Sequence, residues 1–390
     1  MQRLLSQVLN VINDKCEMTG LADCNNFFVS CERVANPALE GCPVIVMSNN
    51  DGCVVARSNE AKRIGIKMGQ PVFEIRDLIE SGQLTAIPGN HKLYKEISVQ
   101  VHDILRKYAP ATIDYSIDES FLDMRGIPVS VLQDIGEHIV ADCRDSVGIP
   151  VTVGFAATKT LAKVITDVCK KRGDAVGVLY DNNEVSSLLS ALPIQELWGV
   201  GRRMSKKMYV DGIHTVWDFA QRDKVWVKSR YGINGERSWL ELHGVGCITL
   251  SRISRMQESI SESRTFPTDT DDYSYIEAQV AQYAVHCSQR LREMSGLCHE
   301  LTVMLSTNRF HTEQGYFAPQ ISATFDKPVN DTMNIKRAAI AALQRIYSPG
   351  MQYKRAMVVL TDIMPSEDYT PSLFEFGDGP FTIRSIKSDI

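Results

Sequence analysis

Two apolar, strand-like runs in this 390-residue chain end in carboxylates. "TGLADC" carries Asp23 near its end, and "TIDYSIDESFLDM" sets Asp118 beside Glu119. Neighbouring carboxylates repel, and holding them close is costly unless a positive charge lies between them. A fold that gathers these strand ends must therefore supply cations as well. In a continuous strand Asp118 and Glu119 would face opposite sides, but at a sharp hairpin tip both can project to one edge. Three carboxylates on adjacent strand ends make a cage for hard, oxygen-seeking ions such as Mg²⁺. Two such ions about 4 Å apart support phosphoryl transfer. The alternative is a solvated turn at Asp118-Glu119, with Asp23 as a helix N-cap.

Strands and helices alternate around these runs. "TGLADC" and "PVIVMSNND" read as strands with "NNFFVSCERV" as a short helix between them, and "VVARSNEAKRIGIKMG" as a strand passing into a helix that Gly65 ends. Ile97, Val101, Ile104 and Leu105 recur at helical spacing up to Pro110. Ile113, Tyr115 and Ile117 then alternate as in a strand. A further helix and the strand "PVTVGFA" complete a pattern that predicts an α+β layer with helices on one face. Residues 186–245 are short, basic, Gly-punctuated and helical. A Ser/Arg-rich link leads to a third region of long helices and strands, and "FGDGPFTIRSIKSDI" reads as a loose tail.

Charge distribution sharpens the division. Residues 1–150 hold 14 basic against 20 acidic side chains, and residues 151–230 hold 13 against 8. An acidic, metal-dependent site beside a phosphate-gripping module has this distribution, although the net charge of -5 argues against a uniformly basic nucleic-acid binder. The ten cysteines are scattered, with no C-x-x-C pair and no His cluster, which favours reduced structural thiols over zinc. No apolar run reaches the length of about 18 residues that a membrane span needs. The N-terminal "MQRLLSQVLNVINDKCE" lacks a small-residue cleavage site, so the expected compartment is the cytoplasm.

Basic residues suggest where phosphates bind. In "VTVGFAATKTLAKVITDVCKKRG", Thr158 suits an N-cap and Lys159 falls in the first turn, where the dipole disfavours a cation unless an anion binds there. Lys62 and Arg63 offer a second cationic point, or simply match the dipole at a helix C-terminus. "LWGVGRRMSKKMYVDGIHTVWDF" places the Gly199-Val200-Gly201 turn ahead of Arg202, Arg203, Lys206 and Lys207. Such a turn lets backbone amides approach a phosphate without Cβ clashes, the pattern of a helical hairpin gripping a nucleic-acid backbone. A Gly-capped turn with a solvated basic face is the alternative.

"LADCNNFFVSCERV", "NPALEGCPVIVMSNNDGCVVARSNEAKRIGIKMG", "YSIDESFLD" and "VTVGFAATKTLAK" occur in the order and near the spacing of the Y-family translesion DNA polymerases. The chain resembles that family over residues 18–365, and "SNNDGCVVAR" looks most like its UmuC branch, the catalytic subunits of bacterial DNA polymerase V. The resemblance implies an α+β, multidomain right hand. Residues 1–17 would be an N-terminal extension, with Met18 a candidate initiator. Residues 18–185 would be palm and fingers (fingers about 42–95), 186–245 a thumb with a helix-hairpin-helix, 246–365 an α/β little finger and 366–390 a tail. It implies error-prone, template-directed synthesis past damaged bases in the SOS response, with two Mg²⁺ ions held by Asp23, Asp118, Glu119 and the carbonyl of Cys24. Lys159 and Lys62 would contact the incoming triphosphate, Phe28 would be the steric gate, and Gly199, Gly201, Arg202, Lys206 and Lys207 would grip DNA. Implied partners are primer-template DNA, damaged DNA included, deoxynucleoside triphosphates, processed UmuD-like subunits, RecA and the sliding clamp, with no membrane.

Departures from the pattern stand beside it. Asn59 occupies a position where many members place a triphosphate-binding Tyr, and "PSLF" only partly resembles the clamp-binding peptide of UmuC relatives. Two other readings use the same residues: a nucleotidyl cyclase with the same metal chemistry, and a catalytically weak DNA-binding subunit that recruits partners.

Overall fold

The computed structural model describes residues 17–48, 52–249, 256–310, 315–370 and 381–385. The chain forms two compact units, Met1–Arg252 and Ile253–Ile390.

The first unit is built on a five-stranded sheet ordered β5-β6-β1-β7-β8. Its strands are β1 (Thr19–Cys24), β5 (Ala111–Asp114), β6 (Glu119–Asp123), β7 (Val151–Ala156) and β8 (Val176–Leu179). β1 lies antiparallel between β6 and β7. A smaller sheet, β3-β2-β4, holds β2 (Val44–Met47), β3 (Val54–Arg57) and β4 (Thr85–Pro88). The helices interspersed with these strands are α1 (Phe27–Ala35), α2 (Asn59–Arg63), α3 (Arg76–Glu80), α4 (His91–Leu105), α5 (Leu132–Val147), α6 (Lys159–Arg172) and α7 (Asn182–Ala191). A helical lobe follows, with α8 (Arg202–Val210), α9 (Val216–Ala220) and α10 (Lys224–Leu242), the last kinked at Gly232.

Side-chain alternation decides which face each residue serves. Ala22, Cys24 and Leu122 pack with Ile97 and Val101 of α4 and Ile139 and Cys143 of α5. Leu21 and Phe121 pack on the other face with Leu161, Val164 and Ile165 of α6. Helices therefore cover both faces, not the one face expected. β1 is apolar on both sides because both sides are buried, the composition of a central strand.

α6 approaches β7 closely. A Cβ on Gly154 would lie 2.3 Å from Thr166 Oγ1 and 2.8 Å from Ile165 Cγ2. The Thr158 side chain caps the start of α6 by accepting from Leu161 N, as expected, and Gly173 ends it at φ 86°. The predicted strand through Tyr115 and Ile117 stops at Asp114 instead, because the chain turns to form the β5–β6 hairpin.

The second unit is an antiparallel sheet ordered β13-β11-β10-β12-β9. It holds β9 (Ser259–Thr270), β10 (Gly296–Thr307), β11 (Gln320–Val329), β12 (Tyr353–Pro365) and β13 (Phe381–Ser385). Helices α11 (Tyr273–Glu293) and α12 (Thr332–Ile346) bury Val280, Ala284, Ala338 and Ala342 with Leu301 and Val358 of the sheet. Within the expected loose tail, the described residues 381–385 form a strand instead. Phe381–Ser385 pair with Ile321–Phe325 of β11, giving that strand's edge backbone partners it would otherwise lack. The "PSLF" segment and residues 1–16 lie outside the described residues.

Gly154→Ala should destabilise the protein by about 1–3 kcal/mol, the usual range for overpacking a tight contact. Denaturant unfolding reads this as a lower midpoint at unchanged slope, and an unchanged midpoint would show that α6 can move away from β7.

Candidate active site

The β1–β6 pairing brings two carboxylates face to face. Asp23 and Glu119 are register partners on neighbouring strands, and both lie on the face that packs against α6. Asp118 sits one residue earlier, at the end of the hairpin turn. Its carbonyl accepts the Cys24 amide at 2.9 Å, and its Oδ1 accepts Ser116 Oγ at 2.5 Å. Asp23 is a strand residue, so it is not a helix N-cap. Asn26 takes that place at the start of α1.

Their counter-charges come from α6. Lys170 Nζ pairs with Asp23 Oδ1, and Lys163 Nζ pairs with Glu119 Oε1. Both lysines escaped the sequence reading. They are spaced seven apart on α6, two turns on one face, and that spacing beside Asp167 was the available signal. Burial raises Asp23 to about 7, with Lys170 pulling the other way. Burial works against the Lys163 charge, yet Glu119 holds that ammonium above its usual range.

Lys159 does not join this group. It starts α6, eleven residues from Lys170, about 16 Å along the axis at 1.5 Å per residue. The anion expected at this helix N-terminus is present, and it belongs to the protein. The fully buried Glu241 accepts Thr160 N at 3.0 Å. Its carboxylate answers the helix dipole that a phosphate was expected to answer.

Lys62 is better placed. Its Nζ donates to Asn26 Oδ1 at 2.6 Å and Asn59 Oδ1 at 3.1 Å, tying α2 to the left-handed residue that starts α1. Burial, Arg57 and Lys170 lower its pKa, so the Lys62 and Lys170 charges feel each other. Phe27 and Phe28 take separate environments. Phe27 is buried, while the half-buried Phe28 stacks on Tyr94 at 4.4 Å and meets the His91 ring edge-on at 5.8 Å. Tyr94 is itself held by Glu32 through a 2.6 Å hydrogen bond.

In the helical lobe, Gly199 has φ 84°, and a Cβ on Gly201 would meet nothing within 4 Å. The turn is open, and Arg202, Arg203 and Lys206 are exposed beside it. Lys207 differs. Its Nζ donates to the Arg230 carbonyl at 2.5 Å and lies 5.2 Å over the Tyr231 ring, so it braces α8 against α10.

Among the described residues no three His, Cys, Asp or Glu side chains are grouped so as to hold a metal ion as they stand. The donor chemistry nevertheless suits a hard divalent cation, because carboxylates and a main-chain carbonyl are all oxygen ligands. Two of the carboxylates already draw cations to this edge in the form of ammonium groups. An acidic strand edge flanked by ammoniums can balance the charges of a metal-bound, phosphorylated ligand.

Known proteins share this arrangement of chain. Family models described as "impB/mucB/samB family" and "impB/mucB/samB family C-terminal domain" match residues 22–167 and 257–373. The chain is 36% identical to Protein SamB of Salmonella typhimurium over 363 residues, covering 92% of this chain and 86% of that protein. It is 33% identical to Protein UmuC of the same organism over 362 residues, with the same coverage. It is 32% identical to DNA polymerase IV of Moorella thermoacetica over 312 residues, covering 77% and 76%. A solved Y-family DNA polymerase chimera superposes with TM-score 0.70 at 22% identity, covering 89% of this chain and 99% of that one. An insertion ternary complex of Dbh DNA polymerase gives 0.55 at 21% identity over the same shares. The fold is that of a right-hand polymerase.

In the metal-free protein the Asp23 carboxyl should titrate near 7. Because its ordinary value is 3.8, stability from this group falls as pH rises from about 4 to about 7 and is level above. Lys170→Met should move the midpoint higher by removing the ammonium that lowers it. Carbon-13 carboxyl NMR reads both, and a wild-type midpoint near 4 would contradict the burial argument.

Proposed function

The chain belongs to the impB/mucB/samB family, within the Y-family DNA polymerases, and from that premise we propose how its residues carry out the reaction. The protein is an error-prone, template-directed DNA polymerase of translesion synthesis. The observation that carries the atomic reading is the register pairing of Asp23 with Glu119, next to Asp118 and facing two lysines.

Asp23, Asp118, Glu119 and the Cys24 carbonyl would hold two Mg²⁺ ions. When bound, these supply Lewis acidity for the primer 3′-hydroxyl and charge neutralisation for the triphosphate and its pyrophosphate leaving group. Lys170 and Lys62 bind and orient the triphosphate, a role the position of Lys170 supports better than that of Lys159. The Phe28 ring lies against the sugar of the incoming nucleotide, where a 2′-hydroxyl would meet an apolar surface and lose its hydrogen bonds. The Gly199–Gly201 turn, with Arg202 and Lys206, holds the DNA backbone without reading sequence.

In domain terms, 18–185 form palm and fingers, 186–245 the thumb and 246–365 the little finger, with β13 of the 366–390 segment adding an edge strand to its sheet. The substrates are primer-template DNA, damaged DNA included, and deoxynucleoside triphosphates. Likeness to UmuC relatives supports processed UmuD-like subunits, RecA and the sliding clamp as partners, and the cytoplasm as the working compartment.

Asp118→Asn keeps the acceptor for Ser116 and should leave folding intact while lowering primer extension about a hundredfold or more. Extension near the wild-type rate would remove the carboxylate edge from the chemistry. Phe28→Ala should raise single ribonucleotide insertion about a hundredfold and spare most deoxynucleotide insertion. A gain seen with Phe27→Ala instead would move the gate to the buried ring.

A further inference from the structure

Glu241 stands at the last turn of α10, fully buried, and the reaction as described makes no use of it. Its carboxylate accepts three backbone amides. Oε2 takes Thr160 N at 3.0 Å, and Oε1 takes Cys247 N at 2.8 Å and Ile248 N at 3.0 Å. Its own carbonyl accepts Thr158 Oγ1 at 2.8 Å. The bonds between α6 and α10 are therefore reciprocal, each helix giving a side chain to the other's backbone across more than eighty residues of sequence.

These partners belong to different working parts. Thr158 and Thr160 begin the helix that carries Lys163 and Lys170 to the carboxylates. Cys247 and Ile248 follow α10 and line a cavity of about 310 Å³ whose other walls include Trp198, Gly199, Val200 and Met204. That wall leads into the turn beside Arg202 and Lys206. Trp198 also reaches the catalytic hairpin, donating from Nε1 to Tyr115 Oη at 3.2 Å. A charged group accepting three amides inside a protein is held much more firmly than an exposed pair.

We propose that Glu241 is a positioning residue that joins the DNA-gripping lobe to α6, setting the register between bound primer-template and the carboxylate edge. Glutamine at this position places an NH2 group against amide donors on one side, so either Thr160 or the Cys247–Ile248 pair loses its acceptor. The lobe then keeps its fold and its basic residues but not its fixed seat on α6. DNA still binds with unchanged affinity, but it is advanced poorly.

The inference rests on the polymerase reading, so the test has two arms on the full-length protein. In Glu241→Gln, hydrogen exchange should speed up by tenfold or more either at Thr160 or at Cys247 and Ile248 together, whichever side loses its acceptor, while exchange in α8 stays unchanged. Nucleotides added per binding event should fall about tenfold, with primer-template Kd within twofold, and Glu241→Asp should recover part of the loss. A merely structural role lowers the active fraction without changing additions per binding event. Unchanged exchange, or unchanged additions per binding event in an active Glu241→Gln enzyme, overturns the proposal. If the wild-type protein extends no primer, the polymerase reading falls and the exchange arm alone decides whether Glu241 joins the lobe to α6.

Discussion

Asp23 and Glu119 face each other across one strand pairing, and the surrounding sheet and helix are arranged to answer their repulsion. A buried carboxylate with no positive neighbour would simply keep its proton. Here α6 lies on the same face of the sheet and delivers Lys163 and Lys170 to these two side chains. It can do so only because Gly154 lets the helix sit against β7 and because Thr158 and Gly173 fix where the helix begins and ends. The charge balance and the close packing are thus one constraint. On the proposed reaction, divalent cations and a polyanion would enter at this edge, and lysines supply counter-charges on mobile stems.

Much of this was legible in the sequence because local chemistry and tertiary role coincide. Asp23 and Glu119 lie at the ends of apolar strands with Asp118 in the turn beside them, Thr158 is a good N-cap, and adjacent Phe27 and Phe28 cannot share one environment on a helix. What escaped was set by contacts distant in sequence. Lys159 stands out locally because it lies in the first turn of α6, and nothing local shows that Glu241, eighty-one residues beyond Thr160, supplies the anion there. Lys207 looks like its basic neighbours until Arg230 and Tyr231 pack against it. Likewise "FTIRS" is too short to announce a strand, and only the open edge of β11 makes it one.

The same logic separates grip from chemistry. The exposed Arg202, Arg203 and Lys206 can neutralise phosphates at little structural cost, whereas buried charges such as Glu241 and Asp23 must be fully partnered. The sugar gate proposed at Phe28 would need rigidity of a third kind, an apolar ring held still. The Phe28 ring is held by its stack on Tyr94, which Glu32 anchors from one helical turn further along α1.

The carboxylate edge is tested most directly by a crystal of the protein with primer-template, a non-hydrolysable deoxynucleoside triphosphate and Mn²⁺, examined by anomalous scattering. The expected result is two peaks within bonding distance of Asp23, Asp118 and Glu119, with Lys163 and Lys170 withdrawn from those carboxylates and Lys170 on the triphosphate. Peaks elsewhere, or a bound triphosphate with both lysines still on Asp23 and Glu119, would contradict it.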